Sequence, residues 1–201
     1  MNNIKYVIFD FGGVFVEEAF SKARIEYAKK TGIPISKIWK EIKPYWKALE
    51  KGDISEEEFW NMYETQANDK KFKKEEIRAL FESKQKRNEE IVNLILDLRK
   101  KGYKTALLTN NVKEWFEDYN KTDPLDNYFD IIVSSHETKT IKPFPEIYQT
   151  MLERLKAKPE ECVFIDDKQR NLDTAVALGM KTVLCLDSKK AIKEICDLLY
   201  F

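Results

Sequence analysis

The stretch Lys5–Glu17, KYVIFDFGGVFVE, decides how the rest of the chain is read. Its apolar run Tyr6-Val7-Ile8-Phe9 is what a strand buried on both faces shows. One carboxylate follows, Asp10, and then Phe11 and the pair Gly12-Gly13, whose backbone can bend tightly. A charge at the end of a buried strand sits where open α/β sheets keep their active sites. Taken alone, the stretch also fits a plain strand-end turn with a solvated Asp10, so the weight falls on what surrounds it.

Between Glu18 and Lys86 no convincing strand occurs. Ala19, Phe20, Ala23 and Tyr27 mark one face of a helix that Gly32 and Pro34 stop. A second helix runs through Ile38, Trp39 and Ile42, and Pro44 predicts a kink or a break near Lys43. Ser55 with Glu58 forms a capping box opening a third helix, with Phe59, Trp60 and Tyr63; a fourth carries Ile77, Leu80 and Phe81. From Asn88 onward strands alternate with helices: Thr105–Thr109, Ile131–Ser134, Cys162–Ile165 and Thr182–Leu186 are the strands. The pattern predicts an α/β fold, a doubly wound parallel sheet with an inserted helical bundle. Residues 1–16 and 87–201 form the core domain on this reading, and 17–86 the bundle. The aromatics Trp39, Tyr45, Trp46, Phe59 and Trp60 are expected to be its packed interior.

Composition narrows the setting. Lys+Arg and Asp+Glu balance at 35 each, so no global field draws nucleic acid or an anionic membrane. The longest apolar runs are strand-sized, too short to span a bilayer. The N-terminal MNNIKYVIFD shows no secretory signal, and Cys162, Cys185 and Cys196 lie in apolar settings without metal-binding spacing. These features predict a cytoplasmic protein with reduced thiols.

In a parallel sheet the carboxyl ends of the strands share one edge, so residues just past each strand become neighbours. Asp10, Thr109-Asn110-Asn111, Lys142 and Asp166-Asp167 all fall there. This set suits Mg²⁺-assisted phosphoryl transfer, because magnesium takes hard oxygen ligands, including one or two carboxylates. A carboxylate can also attack phosphorus, while a hydroxyl, backbone amides and an ammonium hold the phosphoryl oxygens. Read singly, each residue is ordinary: adjacent acids are often solvated or cap helices, Thr109 can be an N-cap, and Lys139 rivals Lys142.

Their order along the chain resembles the haloacid dehalogenase-like (HAD) hydrolases, most of which are phosphatases. The first motif of that family resembles Val7–Val14, the second Ala106–Asn111, the third IKPFPEIY around Lys142, and the fourth VFIDDKQRNLDTAVALGMKTV. The resemblance implies a Rossmann-like core with a helical cap over a small phosphorylated substrate, such as the sugar phosphate of glucose-1-phosphate phosphatase-like members. It implies Asp10 as nucleophile, Lys142 as charge stabiliser, and Thr109 and Asn110 as phosphate ligands. Mg²⁺ would be held by Asp10, the Gly12 carbonyl and Asp167, with Asp166 alongside or one step removed.

Where most phosphatases of the family place a second aspartate as general acid, this chain has Gly12. Glu17 is one candidate to supply the proton, and Trp46 one to stack on a sugar ring. Two alternatives stand beside this reading: a non-catalytic phosphate-binding relative, for which Gly12 is the support, and a 2-haloacid dehalogenase. The second is disfavoured, since dehalogenases of the family usually carry Tyr at the Gly12 position and lack the paired acids. The solitary His136 is expected in a loop near the site, without a catalytic role. Oligomeric state stays open between monomer and homodimer.

Overall fold

Every strand of the sheet runs the same way. In the computed structural model, which describes residues 3–67 and 72–199, β1 (Tyr6–Phe9) lies centrally between β2 (Lys104–Thr109) and β4 (Cys162–Asp166). Beyond these stand β3 (Ile131–Ser134) and β5 (Lys181–Leu184), giving the order β3-β2-β1-β4-β5. Register is parallel throughout: Ile8 faces Ala106 on one side and Phe164 on the other. The chain winds outward from β1 to β3, then crosses back to β4. Asp10 therefore ends the strand at which the winding reverses, the crevice where open α/β sheets bind ligands.

Alternation along each strand fills both faces. Val7, Phe9, Leu107, Val163 and Ile165 pack into one core with α5 (Glu89–Lys100) and α10 (Ser188–Leu199). Ile8, Ala106, Leu108 and Phe164 pack into the other with α8 (Pro145–Leu155) and α9 (Gln169–Ala177). Full burial on both faces accounts for the unbroken apolar run at the start of the chain.

The helical segment comprises α1 (Ala19–Thr31), α2 (Ile35–Glu50), α3 (Glu56–Ala67) and α4 (Lys74–Lys84). Its interior is a third apolar cluster around Tyr27, Ile38, Ile42, Phe59, Trp60 and Tyr63, against which Trp39, Tyr45 and Trp46 are partly buried. Val112 and Trp115, flanking and within α6 (Lys113–Thr122), enter the same cluster and fasten it to the sheet. Its two ends meet: Glu17 N–H donates to the Lys86 carbonyl at 2.8 Å, and Asn88 N–H to that of Phe15 at 2.9 Å. Of the ranges expected for core and bundle, residues 1–2, 68–71 and 200–201 lie outside those described.

Several boundaries depart from expectation. The connection after β3 is not a plain loop but contains the short helix α7 (Ser135–Thr138), which holds His136. The capping box is present, with Ser55 N–H donating to Glu58 at 2.7 Å and Glu58 N–H to Ser55 Oγ at 3.2 Å. Pro44 does not break its helix: α2 is continuous from Ile35 to Glu50. Pro44 and Lys40 are both exposed, so the Lys40 carbonyl deprived of its partner can turn to water. The proline still costs helix stability. Pro44→Ala is expected to raise unfolding free energy by about 1–3 kcal/mol in urea denaturation, with an unchanged slope.

Candidate active site

Lys142 is the hub. Its side chain is essentially inaccessible, and Nζ donates to Asp10 Oδ1 (2.7 Å), Asp166 Oδ2 (2.7 Å) and the Leu108 carbonyl (2.9 Å). An ammonium has three protons, and all three are taken. Burial alone would lower its pKa, but the two carboxylates outweigh that and hold it above the usual lysine value. Two hydrogen bonds fix the backbone of Lys142, both to Asn110: its Nδ2 donates to the Lys142 carbonyl (3.0 Å), and its Oδ1 accepts from Lys142 N–H (2.8 Å). Lys139, the rival, instead donates to the Gly52 carbonyl, beyond the end of α2.

The three aspartates are not equivalent. Asp166 is fully buried and saturated, accepting from Lys142, from Lys168 N–H (2.8 Å) and from Asn171 Nδ2 (2.9 and 3.0 Å). Burial would raise its pKa, yet these donors hold it below the usual range. Asp10 has Oδ1 fixed by Phe11 N–H (2.7 Å) and Lys142, while Oδ2 accepts no hydrogen bond among the described residues. Its pKa is raised to about 7, chiefly by burial, with Asp166 adding to the rise and Lys142 opposing it. One ammonium between two buried carboxylates leaves an excess negative charge, and Asp10 carries it.

Asp167 is held differently. Its Oδ1 is buried without a hydrogen bond, although Lys168 Nζ lies 3.6 Å away, and burial raises its pKa. One oxygen from each of Asp10, Asp166 and Asp167 falls within 4.8 Å of the others. Gly13 makes this possible: φ is +90°, and a Cβ there would meet Asp167 Oδ2 at 2.7 Å. At Gly12 a Cβ would meet nothing within 4 Å.

Above these residues a cavity of about 600 Å³ runs between the sheet edge and the helical segment. Gly12, Asn110 and Lys142 of the sheet layer line it, together with Glu17, Phe20, Trp39, Trp46 and Glu50 of the helical segment. Of the residues singled out in the sequence, Asp10, Gly12, Asn110, Lys142, Asp166 and Asp167 thus form one group. Thr109 is buried at the end of β2, opposite Ser134. Trp46 lines the cavity with its ring stacked on Phe20 (4.5 Å between centroids). Glu17 is exposed and paired with Lys22 (2.7 Å), which holds its carboxyl below the usual range. A carboxylate so held has no proton to give near neutrality, so Glu17 does not fit the part of general acid. His136 is not among the cavity residues and contacts Ser134 Oγ through Nδ1 (2.7 Å).

Three residues escaped sequence reasoning. Asn171 and Lys168 follow Asp166 in chain and hold it, but nothing in their type distinguishes them. Glu50, which lines the same cavity as Gly12 and Lys142, did leave a signal. It is an acid in the last turn of α2, the end where the helix dipole disfavours negative charge.

An α/β sheet that gathers acids and one buried lysine at its switch point defines a hydrolase-type core. The sequence profile described as haloacid dehalogenase-like hydrolase matches residues 7–185, and the chain belongs to that family. Among solved structures, a predicted HAD-like family hydrolase from Porphyromonas gingivalis superposes with TM-score 0.80 at 26% identity, covering 98% of each chain. A HAD family enzyme from Bacteroides thetaiotaomicron, solved with magnesium and inorganic phosphate, gives TM-score 0.71 at 26% identity, over 90% of this chain and 93% of that one. Rat bifunctional epoxide hydrolase 2 is 41% identical over 105 residues, 49% of this chain and 18% of that protein. Pyrophosphatase PpaX of Bacillus mycoides (strain KBAB4) is 34% identical over 95 residues, 47% of this chain and 44% of that protein. The matched region thus spans less than half the length of either curated relative. Among the described residues no helix is long and apolar enough to cross a membrane.

Two substitutions probe the geometry. Lys142→Met strands two buried carboxylates and is expected to cost about 3–5 kcal/mol of unfolding free energy at neutral pH, measured by chemical denaturation. Gly13→Ala forces a side chain into the left-handed region and against Asp167. A loss of about 1–3 kcal/mol is expected, and an unchanged melting temperature would contradict the described turn.

Proposed function

We propose that the protein is a Mg²⁺-dependent phosphatase acting on a small phosphorylated metabolite, a sugar phosphate being the best fit. The observation that carries this is Asp167 Oδ1, a buried carboxylate oxygen without a hydrogen bond, close to Asp10 and beside a lysine-neutralised Asp166. Asp10, Asp167 and the Gly12 carbonyl would hold the ion, and Asp166, whose lone pairs are occupied, would anchor Lys142. When bound, Mg²⁺ supplies charge neutralisation for the phosphoryl oxygens.

The chain's own residues do the rest. Asp10 Oδ2 attacks phosphorus while Phe11 N–H and Lys142 keep Oδ1 still; water later attacks phosphorus, and the bond to Asp10 breaks. Lys142 lowers the negative potential at the phosphoryl group through its charge, since its three protons are engaged. Thr109 contributes its hydroxyl to phosphate. Asn110, whose side chain is occupied by Lys142, would contribute through its backbone N–H. Residues 17–86 act as a cap that excludes water, bringing Glu17 and Trp46 to the substrate. The magnesium and phosphate of the Bacteroides enzyme support this reading.

The test is phosphate release from a panel of sugar and nucleotide monophosphates, with Mg²⁺ or with EDTA. Turnover is expected only with Mg²⁺ and is expected to vanish in Asp10→Asn; activity surviving either change would overturn the proposal. Independently of activity, Mg²⁺ at a hundredfold excess over its Kd should stabilise the wild type by about 2.7 kcal/mol. Asp167→Asn is expected to lose that gain, read as the Mg²⁺-dependent shift in melting temperature.

A further inference from the structure

Cleaving an alkyl phosphate ester leaves an alkoxide, which needs a proton as the P–O bond breaks. The core carboxylates cannot give one: Asp10 is the nucleophile, Asp166 is saturated, and Asp167 faces the metal position. Glu17 and Glu18 also line the cavity, but Glu17 is paired with Lys22, and Glu18 caps α1 by accepting from Ser21 N–H at 3.0 Å. That leaves Glu50.

Glu50 is half-buried and lines the same cavity as Gly12, Lys142, Lys168 and Arg170. Its backbone is tied to the core at the far edge of the sheet. The buried Ser135 hydroxyl donates to the Glu50 carbonyl, and Lys139 Nζ donates to the carbonyl of Gly52. The Trp46 indole, one helical turn back, donates to its carboxyl. Burial raises the Glu50 pKa, opposed by Trp46, Lys168, Arg170 and Lys142. Its place at the carboxyl end of α2 acts in the same direction.

Resting on the phosphatase reading above, we propose that Glu50 is the general acid and base of this chain, reaching the leaving group from the helical segment. In the first step Asp10 Oδ2 bonds to phosphorus, the ester P–O bond breaks, and the Glu50 proton passes to the departing oxygen. In the second, the Glu50 carboxylate takes a proton from the attacking water, the P–O bond to Asp10 breaks, and phosphate leaves with both side chains restored.

A proton donor is distinguished from a structural residue by its dependence on the leaving group. Glu50→Gln preserves size and the Trp46 contact, so folding can be matched by melting temperature. With Mg²⁺ present, its single-turnover rate of leaving-group release from an alkyl sugar phosphate is expected to fall roughly 10²–10⁴-fold, while the burst of p-nitrophenol from p-nitrophenyl phosphate, whose phenolate departs without a proton, changes by less than about threefold; the later, water-attack step is slowed for both. Equal losses in the release step on both substrates, a change in KM alone, or no loss on either would overturn the assignment. If the wild type releases phosphate from neither substrate, the phosphatase reading fails and the role of Glu50 falls with it.

Discussion

A single ammonium group, buried between two carboxylates and a strand carbonyl, is the constraint on which the site depends. Lys142 Nζ links the end of β1 through Asp10, the end of β4 through Asp166 and β2 through the Leu108 carbonyl. Removing a charge from water costs several kcal/mol, and only such complete pairing offsets it. The arrangement is therefore stringent. Three strands must end at the same level, as they do in the register that pairs Phe9 with Leu107 and Ile165. Asn110 completes the constraint by holding the backbone of Lys142 with both ends of its amide.

From that hub the three acids acquire different chemistry. Saturation with donors keeps Asp166 ionised, while the deficit of positive charge is left to Asp10 and Asp167. Three carboxylates, those of Asp10, Asp166 and Asp167, thus gather beside one fully buried lysine. A bound cation is the kind of charge that such a cluster accommodates.

How much of this could be read from the chain alone depended on the range of the interactions. β1, the parallel alternation and the acid-lysine set were legible because burial on both faces and strand-end placement leave local marks in sequence. The capping box at Ser55 was legible for the same reason. The continuity of α2 through Pro44 was not, since it depends on Lys40 and Pro44 facing solvent, a matter of helix orientation. Nor was the division of labour between Asp166 and Asp167, adjacent residues of one type that differ only in what folds around them. Asn110 stands out by its position, but its clasp on Lys142 spans a separation of 32 residues, for which no local pattern exists. Glu50 belongs to the same class of distant partners.

The meeting of the two ends of the helical segment has a topological consequence. Val16 bridges both Gly12 and Arg87, so the chain leaves and re-enters the sheet layer at one point. To the sheet, the whole excursion from α1 to α4 is a hairpin of negligible width. Closing that hairpin adds only a logarithmic entropy cost however long the excursion becomes. The core can thus host helical segments of different size and lining without re-registering a single strand, which separates the inheritance of its chemistry from the inheritance of its selectivity.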